Sequence, residues 1–136
     1  MSPMNTAPIP LVRVENLKMY FPVSTSIMRQ AKNFIHAVDD VSFDIPAGSS
    51  LAVVGESGCG KTTTGKLLTR LYTPTAGHIY LRDGENLVDL VTLRRKNLKR
   101  FRRRVQMIFQ DPYESLNPRL TIFDTVAEPL MVQNIA

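Results

Sequence analysis

The stretch from Leu51 to Thr64, Leu-Ala-Val-Val-Gly-Glu-Ser-Gly-Cys-Gly-Lys-Thr-Thr-Thr, constrains this chain more than any other. Leu51 to Val54 are four apolar residues in a row, which predicts a short, fully buried strand of a parallel sheet. Gly55, Gly60, Lys61 and Thr62 then match G-x-x-x-x-G-K-[ST], the spacing of a phosphate-binding loop. The spacing has a mechanical cause. The chain must leave a strand, wrap an anion with successive backbone N–H groups, and enter a helix whose N-terminal dipole faces that anion. Gly55, Gly58 and Gly60 supply the conformational freedom and the missing Cβ for a close backbone approach. Lys61 would then reach the β- and γ-phosphates of a nucleotide, and the Thr62 hydroxyl would complete the shell of a Mg²⁺ ion. At average residue usage a chance match in a chain this long is on the order of half a percent.

A length of 136 residues allows one domain with a real core. No apolar run reaches the roughly 18 residues of a membrane span. The N-terminus lacks a basic patch followed by an apolar core, so it does not read as a secretory signal. With Pro3, Pro8 and Pro10, residues 1–10 are expected to be a disordered lead-in. Cys59 is the only cysteine and cannot form an internal disulfide, which fits a reducing cytosol. Its place in the loop makes it a target for alkylation that a bound nucleotide would block; a small structural residue is the alternative. The net charge of +5 is one local feature. Arg94 to Arg104 holds eight basic residues and no acid, and without them nine basic residues face 12 acids, a balance of −3.

In order, Leu11 to Leu17 alternates as a half-buried first strand, and Lys18 to Pro22 is expected to end regular structure at the proline. Val23 to Ile35 reads as a loop or hairpin insertion. Ala37 to Ile45 predicts a second strand with Val41, Phe43 and Ile45 on one face, then a turn at Pro46-Ala-Gly48. The helix opening at Gly60 or Lys61 should reach about Tyr72, with Leu67, Leu68 and Leu71 facing the core. Thr73 to Gly77 breaks it, a strand follows at His78 to Leu81, and Arg82-Asp-Gly84 reads as a turn. Leu98, Phe101 and Val105, three and four apart, make the basic segment a short helix. Val105 to Phe109 is another apolar strand candidate. Ser115 to Pro118 is loop, and Thr121 can cap a helix through Glu128 that Pro129 ends or kinks. Leu87-Val-Asp89 holds too few apolar residues for a buried strand. His36 and His78 read as packing or surface residues.

The Gly-Glu-Ser-Gly-Cys-Gly-Lys loop, the Gly77-His-Ile-Tyr-Leu strand and Gln106-Met-Ile-Phe-Gln110-Asp-Pro-Tyr-Glu-Ser-Leu-Asn-Pro-Arg119 together resemble the ATPase subunits of ABC transporters. Phe109 to Arg119 is most similar to subunits of oligopeptide, dipeptide and nickel importers. The resemblance implies an α/β fold, a P-loop NTPase core with an antiparallel β subdomain of the ABC type, over 11–136. It implies ATP and Mg²⁺ as cofactors. Gly55, Glu56, Ser57, Gly58, Cys59, Gly60, Lys61, Thr62 and Thr63 would bind the nucleotide, and Lys61 and Gln110 would be the catalytic groups. Thr62 and Gln110 would contact the metal; a neutral amide can bridge metal and water without adding charge. Tyr20 sits where the family places an aromatic that stacks on adenine, with a core aromatic as the plain alternative and Phe21 as a substitute. Residues 111–119 would face the transmembrane permease subunits, and a second ATPase subunit, a copy or a paralogue, would complete the motor. The expected location is cytoplasmic, peripheral on the inner face of the cell membrane.

The family's Leu-Ser-Gly-Gly-Gln signature, its Mg²⁺-binding Asp with the following catalytic Glu, and its switch His are not found before Ala136. The resemblance therefore implies the N-terminal half of such a domain, truncated before the signature and Walker B segments, which would not turn over ATP usefully by itself. The competing reading is a nucleic-acid-binding P-loop protein contacting phosphates through Arg94 to Arg104. A solvated helix face is the preferred account of that run, since only Phe101 interleaves it and nothing else offers base stacking.

Overall fold

The computed structural model describes residues 9–23, 33–110 and 117–133. The chain gathers into two compact units that divide between Leu93 and Arg94. The first holds β1 (Val12–Val23), β2 (Asn33–Ile45), α1 (Lys61–Leu68), β3 (Ala76–Asp83) and β4 (Asn86–Asp89). The second holds α2 (Arg95–Arg102) and α3 (Ile122–Gln133). Of the expected lead-in, residues 1–8 lie outside the described residues; Ile9 accepts a hydrogen bond from Arg82 Nη1 at 3.0 Å through its carbonyl.

The four strands form one antiparallel sheet in the order β2-β1-β3-β4. This is the antiparallel subdomain expected from the sequence. Arg13 and Asp44 face each other directly across β1 and β2, joined by two hydrogen bonds of 2.9 Å. The hydrogen bonds from the guanidinium hold the Asp44 carboxyl below its ordinary range. On β2, Val41, Phe43 and Ile45 are half-buried between the exposed Ser42 and Asp44, as their alternation requires. The β3–β4 turn is Gly84-Glu85 and not Arg82-Asp-Gly84; Gly84, at φ 67°, takes the first central position of a two-residue loop. Leu87 to Asp89 does form a strand, but one of intermediate burial.

β1 is longer than its sequence suggested and runs through Pro22 to Val23. The reason is which way the proline nitrogen points. Tyr20 N–H turns away from β2, toward Thr75 Oγ1 at 3.0 Å, and Pro22 shares its parity. On that side β3 pairs β1 only as far as Lys18, so no ladder bond is lost at Pro22. β2 likewise begins at Asn33, inside the segment read as a loop; residues 24–32 of that segment lie outside the described residues.

The β1–β2 register slips three times, between Val14 and Leu17, Leu17 and Met19, and Met19 and Tyr20. Asn16 (φ 47°) and Asp40 (φ 55°) take left-handed backbone there, and Asn16 Nδ2 donates to Asp40 Oδ1 at 3.1 Å. On the other edge of β1, Gly77 fits because a Cβ would strike the Asn16 carbonyl. The first unit's core is built from Val14 and Leu17 of β1, Val38 of β2, Leu67 of α1, Ile79 and Leu81 of β3, and Leu90.

α1 stops at Leu68, a turn before the expected Tyr72, and Leu71 is exposed where a core position was expected. Arg70 stops it. At φ 56° it is left-handed; its N–H bonds the Leu67 carbonyl and the Leu71 N–H bonds the Lys66 carbonyl. Those two bonds make a Schellman cap with arginine where glycine is usual. The buried side chain donates from Nε to the Leu90 carbonyl (3.0 Å), from Nη1 to Tyr72 (3.2 Å) and from Nη2 to Val91 (3.4 Å).

Leu51 to Val54, expected as a buried strand, has no regular structure, and Val54 is 88% exposed. Val105 to Phe109 is likewise irregular, with Ile108 96% exposed. A parallel strand is made by its neighbours, which supply its hydrogen bonds and cover both faces. Among the described residues, no strand lies beside either run. In the second unit α2 buries Leu98 and Phe101 of the predicted stripe, while Val105, its third member, lies beyond the helix end and is half-buried. Thr121 caps α3 reciprocally with Asp124: Asp124 N–H donates to Thr121 Oγ1 (3.1 Å) and Thr121 N–H to Asp124 Oδ2 (3.3 Å). α3 continues through Pro129 to Gln133, so the proline does not end it.

Candidate functional site

The loop Gly55 to Gly60 folds around the ammonium of Lys61. Nζ donates to the carbonyl oxygens of Gly55 (2.8 Å) and Glu56 (2.6 Å) and lies 3.6 Å from Cys59 Sγ. The chain closes on itself with Cys59 N–H donating to the Glu56 carbonyl at 3.3 Å. Gly60, at φ 95° and ψ 0°, is the N-cap of α1 and offers no side-chain cap; the first turn of α1 carries no acidic residue. An anion set against that turn meets a partial positive charge and no fixed negative one. Thr62 is exposed there, Thr63 half-buried, and Thr64 buried with its hydroxyl bonded to the Gly60 carbonyl at 3.0 Å.

Gly60 is fixed by its neighbour across the fold. A Cβ here would overlap the Ala37 carbonyl oxygen of β2, so the loop lies directly against that strand. At Gly55 a Cβ would stand 2.7 Å from Cys59 Sγ; at Gly58 (φ 84°) it would meet nothing within 4 Å. Two glycines with the same backbone handedness thus differ in space. Gly60→Ala is expected to lower stability by about 3 kcal/mol, from left-handed strain plus a backbone clash, and Gly58→Ala by about 1 kcal/mol. Urea unfolding of the two variants measures this, and equal losses would dismiss the close approach at Ala37.

Tyr20 stands on β1 opposite His36 of β2. The two rings stack with centroids 3.9 Å apart and planes at 18°. The Tyr20 hydroxyl donates to Asp39 Oδ1 at 2.5 Å, and His36 Nδ1 lies 3.4 Å from Asp39 Oδ2. That bond raises the Tyr20 phenol and lowers the Asp39 carboxyl from their ordinary values. Phe21, the substitute aromatic, meets Tyr72 edge-on at 5.8 Å. His78 pairs with Asp89 at 2.8 Å and stacks on Tyr80. His36 was expected only as a packing or surface residue and Asp39 was not singled out, because their partnership with Tyr20 depends on the β1–β2 register.

Gly55, Glu56, Cys59 and Lys61 are thus brought together, with Ser57 and Gly58 exposed on the same loop. Gln110 belongs to the second unit and is exposed at the end of its irregular segment. Of the segment expected to face a permease, 111–116 lie outside the described residues, and Asn117 to Arg119 form a turn closed by Leu120 N–H on the Asn117 carbonyl at 3.0 Å. Among the described residues no helix is long and apolar enough to cross a membrane.

An ammonium held by the loop and an acid-free helix start are chemistry suited to an anion. The sequence model of the family described as ABC transporter matches residues 38–135. The chain is 46% identical over 126 residues to the oligopeptide transport ATP-binding protein OppF of Bacillus subtilis, covering 93% of this chain and 38% of that protein. It is 45% identical over 120 residues to a probable peptide ABC transporter ATP-binding protein of Sinorhizobium fredii, covering 88% and 33%. It is 44% identical over 126 residues to the glutathione import ATP-binding protein GsiA of Escherichia coli, covering 93% and 20%. Among solved structures, a dimeric ATP-binding cassette in a post-hydrolysis state bound to ADP and Pi superposes with a TM-score of 0.68. At 24% identity, over 90% of this chain and 47% of that one, it shares the fold. The chain thus spans a third or so of the length of the curated peptide-transport relatives named here.

Proposed function

The chain belongs to the ABC transporter family, and on that premise we propose that it is the ATP-binding part of an importer subunit for peptides or a related small solute. The observation that carries this reading is the loop from Gly55 to Gly60, pressed against Ala37 with the Lys61 ammonium gathered over it. In this proposal the loop's N–H groups and the first turn of α1 hold the phosphates, and Lys61 exchanges its two carbonyl partners for phosphate oxygens. Thr62 would hold Mg²⁺, with Thr63 at the phosphates and Tyr20 against the base; the family resemblance gives Gln110 the role of a further metal contact. Bound ATP would supply the energy of phosphoryl transfer, which depends on positioning by several groups at once. A second ATPase subunit would close on the first, and 111–119 would pass that motion to permease subunits at the inner face of the membrane.

Cys59 reports on this directly, being exposed and beside Lys61. At a MgATP concentration ten times its dissociation constant, alkylation of Cys59 by N-ethylmaleimide is expected to slow about ten-fold by occupancy alone. AMP, lacking the β- and γ-phosphates, is expected to leave the rate nearly unchanged. Equal rates with and without MgATP, at any concentration, would remove the nucleotide from this loop.

A further inference from the structure

The phosphate loop leaves the stacked pair of Tyr20 and His36 unaccounted for. We propose that His36 and Asp39 are positioning residues that hold Tyr20 as a ready-made stacking surface for the base of the nucleotide. This rests on the nucleotide reading above and extends it to two residues of β2.

Three observations converge. Tyr20 is held from two directions, with one ring face covered by His36 at 3.9 Å and the hydroxyl tied to Asp39. Asp39 is itself shared, reaching His36 through its other oxygen and lying 3.8 Å from the Lys18 ammonium. A tyrosine so tied has lost its rotamer freedom before any ligand arrives, and a ring that is already ordered gives up less entropy on stacking. Tyr20 nonetheless stays partly exposed. The third observation is the adjacency of the two ends of the site. His36 precedes Ala37, whose carbonyl abuts Gly60, so one strand backs both the aromatic pair and the phosphate loop. A nucleotide has the same order, a flat base at one end and a polyphosphate at the other.

His36 would not touch the nucleotide, so its effect must depend on the base. Binding of ATP and of inorganic tripolyphosphate to the full chain separates the two ends. His36→Ala is expected to weaken ATP roughly two- to ten-fold, the range of one aromatic pair, and to leave tripolyphosphate unchanged. His36→Phe keeps a ring on Tyr20 and is expected to restore most of the ATP affinity. His36 is exposed, so neither change threatens the core. Unchanged ATP affinity in His36→Ala overturns the proposal, as does an equal loss for both ligands or a failure of phenylalanine to restore. A wild-type chain that binds ATP but shows no His36 effect leaves the nucleotide reading standing and removes this one. A wild-type chain that binds neither ligand removes both.

Discussion

Lys61→Ala is expected to weaken ATP binding about a hundredfold, near 2.7 kcal/mol, while lowering the stability of the fold by about 1 kcal/mol or less. The asymmetry follows from where the ammonium sits. Its two carbonyl partners belong to an exposed loop, where water can replace the lost donor. A bound triphosphate tail, with several negative charges, would have no such substitute, because a compact ammonium at hydrogen-bond distance would oppose its charge. Lys61→Arg separates charge from shape. A planar fork keeps the charge but spreads its donors beyond one small ring of oxygens, so an affinity between alanine and wild type is expected. Calorimetric titration beside a urea melt reads both quantities. If alanine binds ATP as wild type does, Lys61 is not a phosphate ligand.

Arg70→Ala is expected to be the most damaging single truncation of the fold, at about 3–5 kcal/mol. Arg70 is 8% exposed, and its guanidinium donates to the carbonyls of Leu90, Tyr72 and Val91, joining the end of α1 to the chain beyond β4. Removing it leaves those acceptors in a site shaped for a large cation. Arg70 also pays for its left-handed backbone, as alanine would and glycine would not. Arg70→Gly should therefore lose about 1 kcal/mol less than Arg70→Ala. The ordering of midpoints in urea, wild type above glycine above alanine, is the test. A loss below 1 kcal/mol in both variants would show that the three carbonyl bonds are not holding α1 in place.

What the sequence made legible was set by local constraints. The glycines of the loop, the Thr121 cap and the stripe of Leu98 and Phe101 each follow from residues within a few positions of one another. Leu51 to Val54 and Val105 to Phe109 were misjudged because a parallel strand is a property of its neighbours. Pro22 was read as a stop because the direction of its nitrogen depends on the β1 register. Arg70 gave no warning, since an arginine in left-handed backbone is stabilised by carbonyls up to 21 positions away. Tyr20 could be picked out as an aromatic, but its brace of His36 and Asp39 appeared only once β1 and β2 were paired.

The three slips between β1 and β2 set which side of the sheet each later residue occupies. Side chains alternate along a strand, so losing one position between Asn16 and Met19 would rotate Tyr20 to the opposite surface. The ring would part from His36, and Thr75 would meet a different amide. The length of those few residues, as much as their identity, therefore decides whether Tyr20 finds His36 and Asp39 at all.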